Sequence, residues 1–265
     1  MTNERRVLVH PDKEALAGSV AARFITKIID VLEEQGSAHV SLTGGSMGSA
    51  VLQAIATSSA RHSVDWDKID FWWSDERYLP HGDPERNDTQ AREALLDQLE
   101  LSPDRVHTMP APGEHADIEA AARAYADELA EAATGDARHP RFDVTFLGVG
   151  PDGHIASLFP EHASVHETER TVIAETESPK PPAERLTLTL PVINASDRIW
   201  LVLAGPDKAG ALGLALAGAS IDEVPAAGIQ GRKRTVFFVD TEAAAEVPED
   251  LIQPNQYWTA SHDIS

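Results

Sequence analysis

A chain of 265 residues with 42% hydrophobic and 25% charged side chains has ordinary globular composition and enough length for a sizeable core. Its 43 acidic against 22 basic residues give a formal charge of −21, which argues against nucleic acid or an anionic membrane as partner. The absence of cysteine excludes disulfides, thiolate catalysis and Cys-ligated zinc, and no apolar run approaches the ~18 residues of a membrane span.

The N-terminal MTNERRVLVH has no apolar signal region, so the chain reads as cytoplasmic. After the apolar residues 7–9, residues 12–34 repeat Leu16, Val20, Phe24, Ile28 and Val31 at spacings of three and four. That predicts a helix with one buried stripe, closed by Gly36. Residues 39–43 read as a buried strand that runs into Gly44-Gly45-Ser46 and a helix over 47–56. A second strand, 69–73, ends in Ser74-Asp75-Glu76-Arg77. Helices are predicted over 89–99 and 118–133, and a central strand over 142–147.

Residues 185–190 alternate Leu and Thr, which predicts one buried and one semi-polar face. Strands at 199–203 and 235–239 flank a helix over 207–216. Strands alternating with helices imply an α/β fold: a Rossmann-like, mainly parallel sheet with helices on both faces. One domain over 1–265 accommodates it, with the polar stretch 162–182, which contains the helix-breaking SPKPP, as a possible small inserted lobe. Nothing in the sequence specifies an oligomeric state.

Ligands in such a sheet sit beyond the carboxyl ends of the strands, and four strand ends carry suitable residues. Gly44, Gly45 and Ser46 suit a phosphate at a helix N-terminus, with Ser46 as the cap, and equally suit a plain tight turn. Asp75 and Arg77 place charge at the rim, where Arg77 can grip phosphate, stabilise an oxyanion or form a surface ion pair. Lys208, one of six lysines, stands at a helix start, where a cation opposes the helix dipole and a phosphate contact gives it a reason.

Residues 148–160, GVGPDGHIASLFP, hold a literal GxGxxG after a strand. The mid-chain position, the carboxylate of Asp152 and the bulk of His154 speak against a dinucleotide. Asp152 and His154 instead make a titratable pair, in which a histidine can remove a proton from water or substrate; a satisfied structural histidine is the alternative. His162 and His166 mimic a helical metal pair but lack the HExxH glutamate, so no metal is expected.

Taken in order, SLTGGSMG, FWWSDERYLP with ERND, FDVTFLGVGPDGHIASLFP, PPAERLTLTLPVIN and IWLVLAGPDKAGAL resemble the 6-phosphogluconolactonase family, within the glucosamine-6-phosphate deaminase/isomerase-like fold. The resemblance implies hydrolysis of 6-phospho-D-glucono-1,5-lactone to 6-phosphogluconate in the oxidative pentose phosphate pathway. It makes His154 the general base, and gives Asp152 or Asp75 the task of orienting it. Arg77, Lys208, Gly44, Gly45 and Ser46 would hold the phosphate. Arg185 would contact sugar hydroxyls or phosphate, and Asn87 fits the family's asparagine. The chemistry needs a base and oxyanion stabilisation, hence no cofactor and no metal.

Two rivals share the fold. A sugar-phosphate deaminase has a glutamate five residues past its histidine, where this chain has Phe159, and a non-catalytic sensor would lose the Asp152–His154 pair.

Overall fold

The computed structural model describes residues 4–248, so Glu249 and Asp250 of the acidic stretch 242–250 lie outside the described residues. Local signals set the first elements. Strand β1 (Glu4–His10) leads to Asp12, whose extended backbone (φ −156°) lets its carboxylate accept the Ala15 N–H at 2.8 Å and start helix α1 (Lys13–Gln35). Gly36 closes α1 with φ 81°, a conformation that costs a residue with a Cβ. The expected stripe is the buried one, and Phe24 meets Phe146 and Trp200 edge-on at 5.3 and 6.5 Å.

The chain continues through β2 (Ala38–Leu42), α2 (Gly45–Thr57), β3 (Ile69–Trp73), β4 (Asp75–Arg77), α3 (Asn87–Ala94) and α4 (Ile118–Glu131). There follow β5 (Val144–Leu147), β6 (Val172–Glu175), β7 (Arg185–Leu188), α5 (Leu190–Asn194), β8 (Arg198–Leu203), α6 (Ala209–Ala217) and β9 (Arg234–Asp240). Six strands form one all-parallel sheet in the order β1-β9-β8-β5-β2-β3. The connections β1→β2→β3 run one way across it and β5→β8→β9 the other. Right-handed crossovers therefore put α1 and α2 on one face and α6 on the opposite face. Strands covered on both sides are mainly apolar, and all five residues of β3 are buried, Asp70 among them through its bonds to His107 and Arg105.

The direction reverses between β2 and β5, so the switch-point crevice lies beyond the carboxyl ends of these two neighbours. A second sheet caps that end. The Ser74 N–H donates to Leu42 of the first sheet, and the Ser74 carbonyl accepts from Leu188 of the second. Beyond this hand-over, β4 pairs antiparallel with β7, and β7 with β6.

This second sheet corrects several expectations. Asp75, Glu76 and Arg77 are a strand of their own rather than the tail of β3. The stretch 162–182, read as a possible small inserted lobe, supplies β6 at the edge of that sheet. In 185–190 the semi-polar face of the alternation is buried as well. Thr187 and Thr189 are fully buried, with Thr189 donating to Arg170 O and Thr187 accepting from Ser157 N. The helix expected at 89–99 starts at Asn87 and gives way to a 3-10 turn at Leu96–Gln98, and the one expected at 207 starts at Ala209. Among the described residues no helix is long and apolar enough to cross a membrane.

Candidate active site

The four strand ends converge. A cleft of about 200 Å³ opens at the switch point, lined by Gly44, Gly45 and Ser46 after β2, by Asp75 and Arg77 of β4, and by Gly148 to Pro151 and His154 after β5. Asn87, Arg185 and Lys208 complete the set expected from the sequence, and Asp152 stands behind His154. Lys180, from SPKPP, also lines the cleft. In sequence SPKPP reads only as a helix breaker within the possible lobe 162–182.

The glycine loop differs from expectation in one respect. Ser46 does not cap α2; Gly44 occupies the cap position without a side-chain bond, and Ser46 lies within the first turn. The leading N–H groups of α2 therefore have no side-chain cap, an arrangement that suits an anion. Gly44 is needed for packing, because a Cβ there would lie 1.8 Å from Asn87 Oδ1. Gly45 is needed for its backbone, at φ 79°.

Between β5 and β6 the chain makes no α-helix, only a 3-10 turn at Ala163–His166, which removes the structural premise of a dinucleotide fingerprint. It folds into a tight turn in which Gly153 N donates to Gly150 O and Gly150 N to His154 O, both at 2.9 Å. A Cβ on Gly150 would lie 2.0 Å from His154 Nδ1 and 2.3 Å from Asp152 Oδ1. The glycine thus makes room for the pair itself: His154 Nδ1 and Asp152 Oδ1 are 2.6 Å apart. Burial disfavours the Asp152 carboxylate. The hydrogen bond from His154 and the charges of His154 and Lys180 outweigh it and hold the carboxyl below its ordinary range. Phe159, fully buried, packs under the imidazole with ring centroids 4.7 Å apart. Ala156, beside it in the cleft, adopts φ 48°, a strained backbone for a residue with a Cβ.

Asp75 does not partner His154. Its Oδ2 accepts from Ser157 Oγ at 2.7 Å, and its carbonyl accepts from Asn87 Nδ2 at 2.9 Å. Asn87 Oδ1, buried against Gly44, has no hydrogen-bond partner among the described residues. Behind them, buried Glu76 accepts the N–H groups of Arg77 and Asn87 at 2.7 Å and of Asp88 at 2.9 Å. It thereby caps α3 from a distance and ties Arg77 and Asn87 to one anchor. Burial pushes the Glu76 carboxyl up to about 8, against the pull of Arg86. Fully buried Arg86 fixes the intervening loop through Asp88 at 2.8 Å and the carbonyls of Leu79 and Met109.

The cations divide by task. Lys208 is 3.1 Å from Asp207, and Arg77 Nη1 donates to Glu85 O. Arg185 directs Nε and Nη2 at the carbonyls of Pro182, Lys180 and Pro181, and its guanidinium lies over Phe159 at 5.8 Å. Burial lowers the Arg185 pKa from its usual value. Lys180 Nζ is 3.5 Å from Asp152 Oδ1 and 3.4 Å from His154 Nδ1. Four cations against the carboxylates of Asp75 and Asp152 reverse the sign of a chain whose total charge is −21. The metal-like His162 and His166 have separate partners, Glu175 at 3.1 Å and Asp222 at 2.5 Å. No group of three or more potential metal ligands occurs among the described residues.

Fold and cleft together define an α/β protein with a cationic cleft at its switch point, beside a carboxylate-bound histidine. The family model for glucosamine-6-phosphate isomerases/6-phosphogluconolactonase matches residues 11–238, and the chain belongs to that family. It is 54% identical over 258 residues to the 6-phosphogluconolactonase of Streptomyces coelicolor, covering 96% of this chain and 99% of the relative. It is 43% identical over 242 residues to that of Mycobacterium tuberculosis, covering 91% and 97%. The crystal structure of 6-phosphogluconolactonase from Thermotoga maritima superposes with a TM-score of 0.78 at 27% identity, covering 90% of this chain and 100% of that one.

Proposed function

We propose that the chain is a lactone hydrolase, a 6-phosphogluconolactonase that opens 6-phospho-D-glucono-1,5-lactone to 6-phospho-D-gluconate. The observation that carries this reading is the 2.6 Å Asp152–His154 pair on the wall of a cationic cleft. The Nδ1–H to Asp152 fixes the tautomer and leaves Nε2 as the proton acceptor, the same logic by which a carboxylate orients the histidine of a hydrolytic triad.

Water attacks the lactone carbonyl as Nε2 takes its proton. The tetrahedral oxyanion is stabilised by N–H groups and cations of the cleft, then collapses with cleavage of the bond to the ring oxygen. That oxygen takes the proton back from His154, and the acid product carries the added water. Arg77, Lys208 and the first turn of α2 hold the phosphate, while Asp75 accepts sugar hydroxyls. The deaminase alternative lacks a second carboxylate at position 159. A buried phenylalanine fills it, which favours water activation over aldose–ketose chemistry.

Both sheets contribute walls to the cleft, which supports reading residues 1–265 as one functional domain. Composition supports a cytoplasmic enzyme whose partner is the small sugar phosphate and not nucleic acid or membrane. The test is turnover of freshly generated lactone, corrected for spontaneous opening, with glucosamine 6-phosphate as control. Acceleration of lactone opening without deamination is expected; deamination without lactone opening would overturn the reading.

A further inference from the structure

Lys180 has no part in the scheme above, yet its ammonium lies 3.4 Å from His154 Nδ1 and 3.5 Å from Asp152 Oδ1. Its backbone is held on both sides. Ser178 Oγ donates to Lys180 O at 2.8 Å and accepts Lys180 N at 3.3 Å, and Arg185 Nη2 donates to Lys180 O at 3.1 Å. The three prolines of SPKPP have no N–H of their own, and Arg185 draws two of their carbonyls, those of Pro181 and Pro182, to itself. The loop is fixed from within the second sheet, and the flexible stem of Lys180 is aimed at the pair.

Nδ1 gives its proton to Asp152 across 2.6 Å, so it cannot also accept one from Lys180. The contact between Nζ and the ring is therefore electrostatic, an ammonium beside the ring, rather than a hydrogen bond. A carboxylate this close to an imidazole favours the imidazolium, and an imidazolium cannot take a proton from water. A cation on the same edge opposes that effect.

We infer that Lys180 acts through His154, as the counter-charge that keeps its imidazole unprotonated beside Asp152, and that Arg185 is the positioning residue that sets Lys180 in place. The groups facing His154 are Asp152 on its own turn, Lys180 from the β6–β7 loop, and Asp75, Arg77, Arg185 and Lys208 across the cleft. His162 lies on the far side of Phe159. Among the described residues, Lys180 is the one of these cations in contact with the ring.

The inference rests on the lactonase reading, and its test begins by measuring lactone opening by the wild-type enzyme, whose absence would strike that reading first. The pH dependence of kcat/KM between about pH 5 and 8 is then compared for wild type, K180Q, K180A, K180R and R185Q, with thermal unfolding as the check on folding. Lys180 is 43% exposed, so solvent weakens its field, and its removal is expected to move the acid limb up by roughly half to one pH unit. K180R should keep the wild-type limb. R185Q should shift it in the same direction as K180Q, with no further shift in the double variant. An unmoved limb in K180Q and K180A, with loss of activity uniform across pH or confined to KM, would make Lys180 a substrate contact and overturn the inference. R185Q that alters KM alone would overturn the positioning role.

Discussion

Asp152→Asn isolates the part of the site that orients the base. The bond removed is charge-assisted and short, 2.6 Å between Asp152 Oδ1 and His154 Nδ1. Such bonds contribute about 1.5–3 kcal/mol, or roughly 10- to 100-fold in rate at about 1.4 kcal/mol per decade. Asparagine adds a second effect: its amide can donate to Nδ1, which moves the ring proton to Nε2 and removes the acceptor from the cleft. In a hydrolytic triad that tautomer error costs on the order of 10⁴ in kcat. A fall in kcat between about 10² and 10⁴ is expected, with KM changed by no more than a few-fold. Because the Asp152 side chain is 35% exposed and supports no packing, the unfolding temperature should stay within a few degrees of wild type. The assay is the initial rate of opening of lactone generated in place, with the spontaneous rate subtracted. A kcat within threefold of wild type would refute the orienting role, and so would a change confined to KM.

Gly150→Ala should be nearly as damaging, since its Cβ would lie 2.0 Å from His154 Nδ1; a loss of kcat of at least about 10²-fold is expected, with about 1–3 kcal/mol of stability lost on denaturant unfolding. Arg77→Ala and Lys208→Ala should each raise KM about 10-fold or more if they grip phosphate equally in ground and transition states; a fall in kcat alone for Arg77→Ala would place it at the oxyanion. Stability should depend on pH through His107, remote from the cleft and stacked on Trp72 at 3.7 Å. Burial opposes its charging, but hydrogen bonds to Asp70 and Glu128 outweigh burial and push it up to about 8. A raised folded-state value means the stabilisation is complete below about pH 6.5 and is lost as pH rises through 8. It amounts to roughly 2 kcal/mol, checked by unfolding of wild type and His107→Gln at pH 6 and 9.

The alternation of strands and helices, and with it the mainly parallel sheet, was legible because periodicity and strand composition report burial directly; the strand order was not. Leu16 to Val31 marked α1, and Ile69 to Trp73 marked a strand buried on both faces. The four polar strand ends were legible for a related reason: charged residues directly after an apolar strand have few places to go except the rim. What escaped depends on contacts between distant segments. Nothing local in Asp75-Glu76-Arg77 announces pairing with 185–187, and the burial of Thr187 follows only once β4 and β6 flank it. Ser46 was a reasonable cap by composition, but α2 starts two residues earlier, capped at Gly44, against which Asn87 packs. Lys180 was hidden in a proline-rich breaker, and only Arg185, which the sequence reading gave to the substrate, reveals why that breaker has a fixed shape. A lysine inside a rigid proline loop, with an arginine shortly after, was the available signal.

The claim on which the rest depends is that His154 Nε2 is the base for lactone opening. It is tested most directly by kcat for His154→Ala beside wild type, at one pH near neutrality, on fresh 6-phosphogluconolactone with the spontaneous rate removed. General base catalysis contributes about 10²–10⁴-fold, so a folded His154→Ala protein should lose at least a hundredfold in kcat. A folded variant that keeps near wild-type kcat would contradict the account.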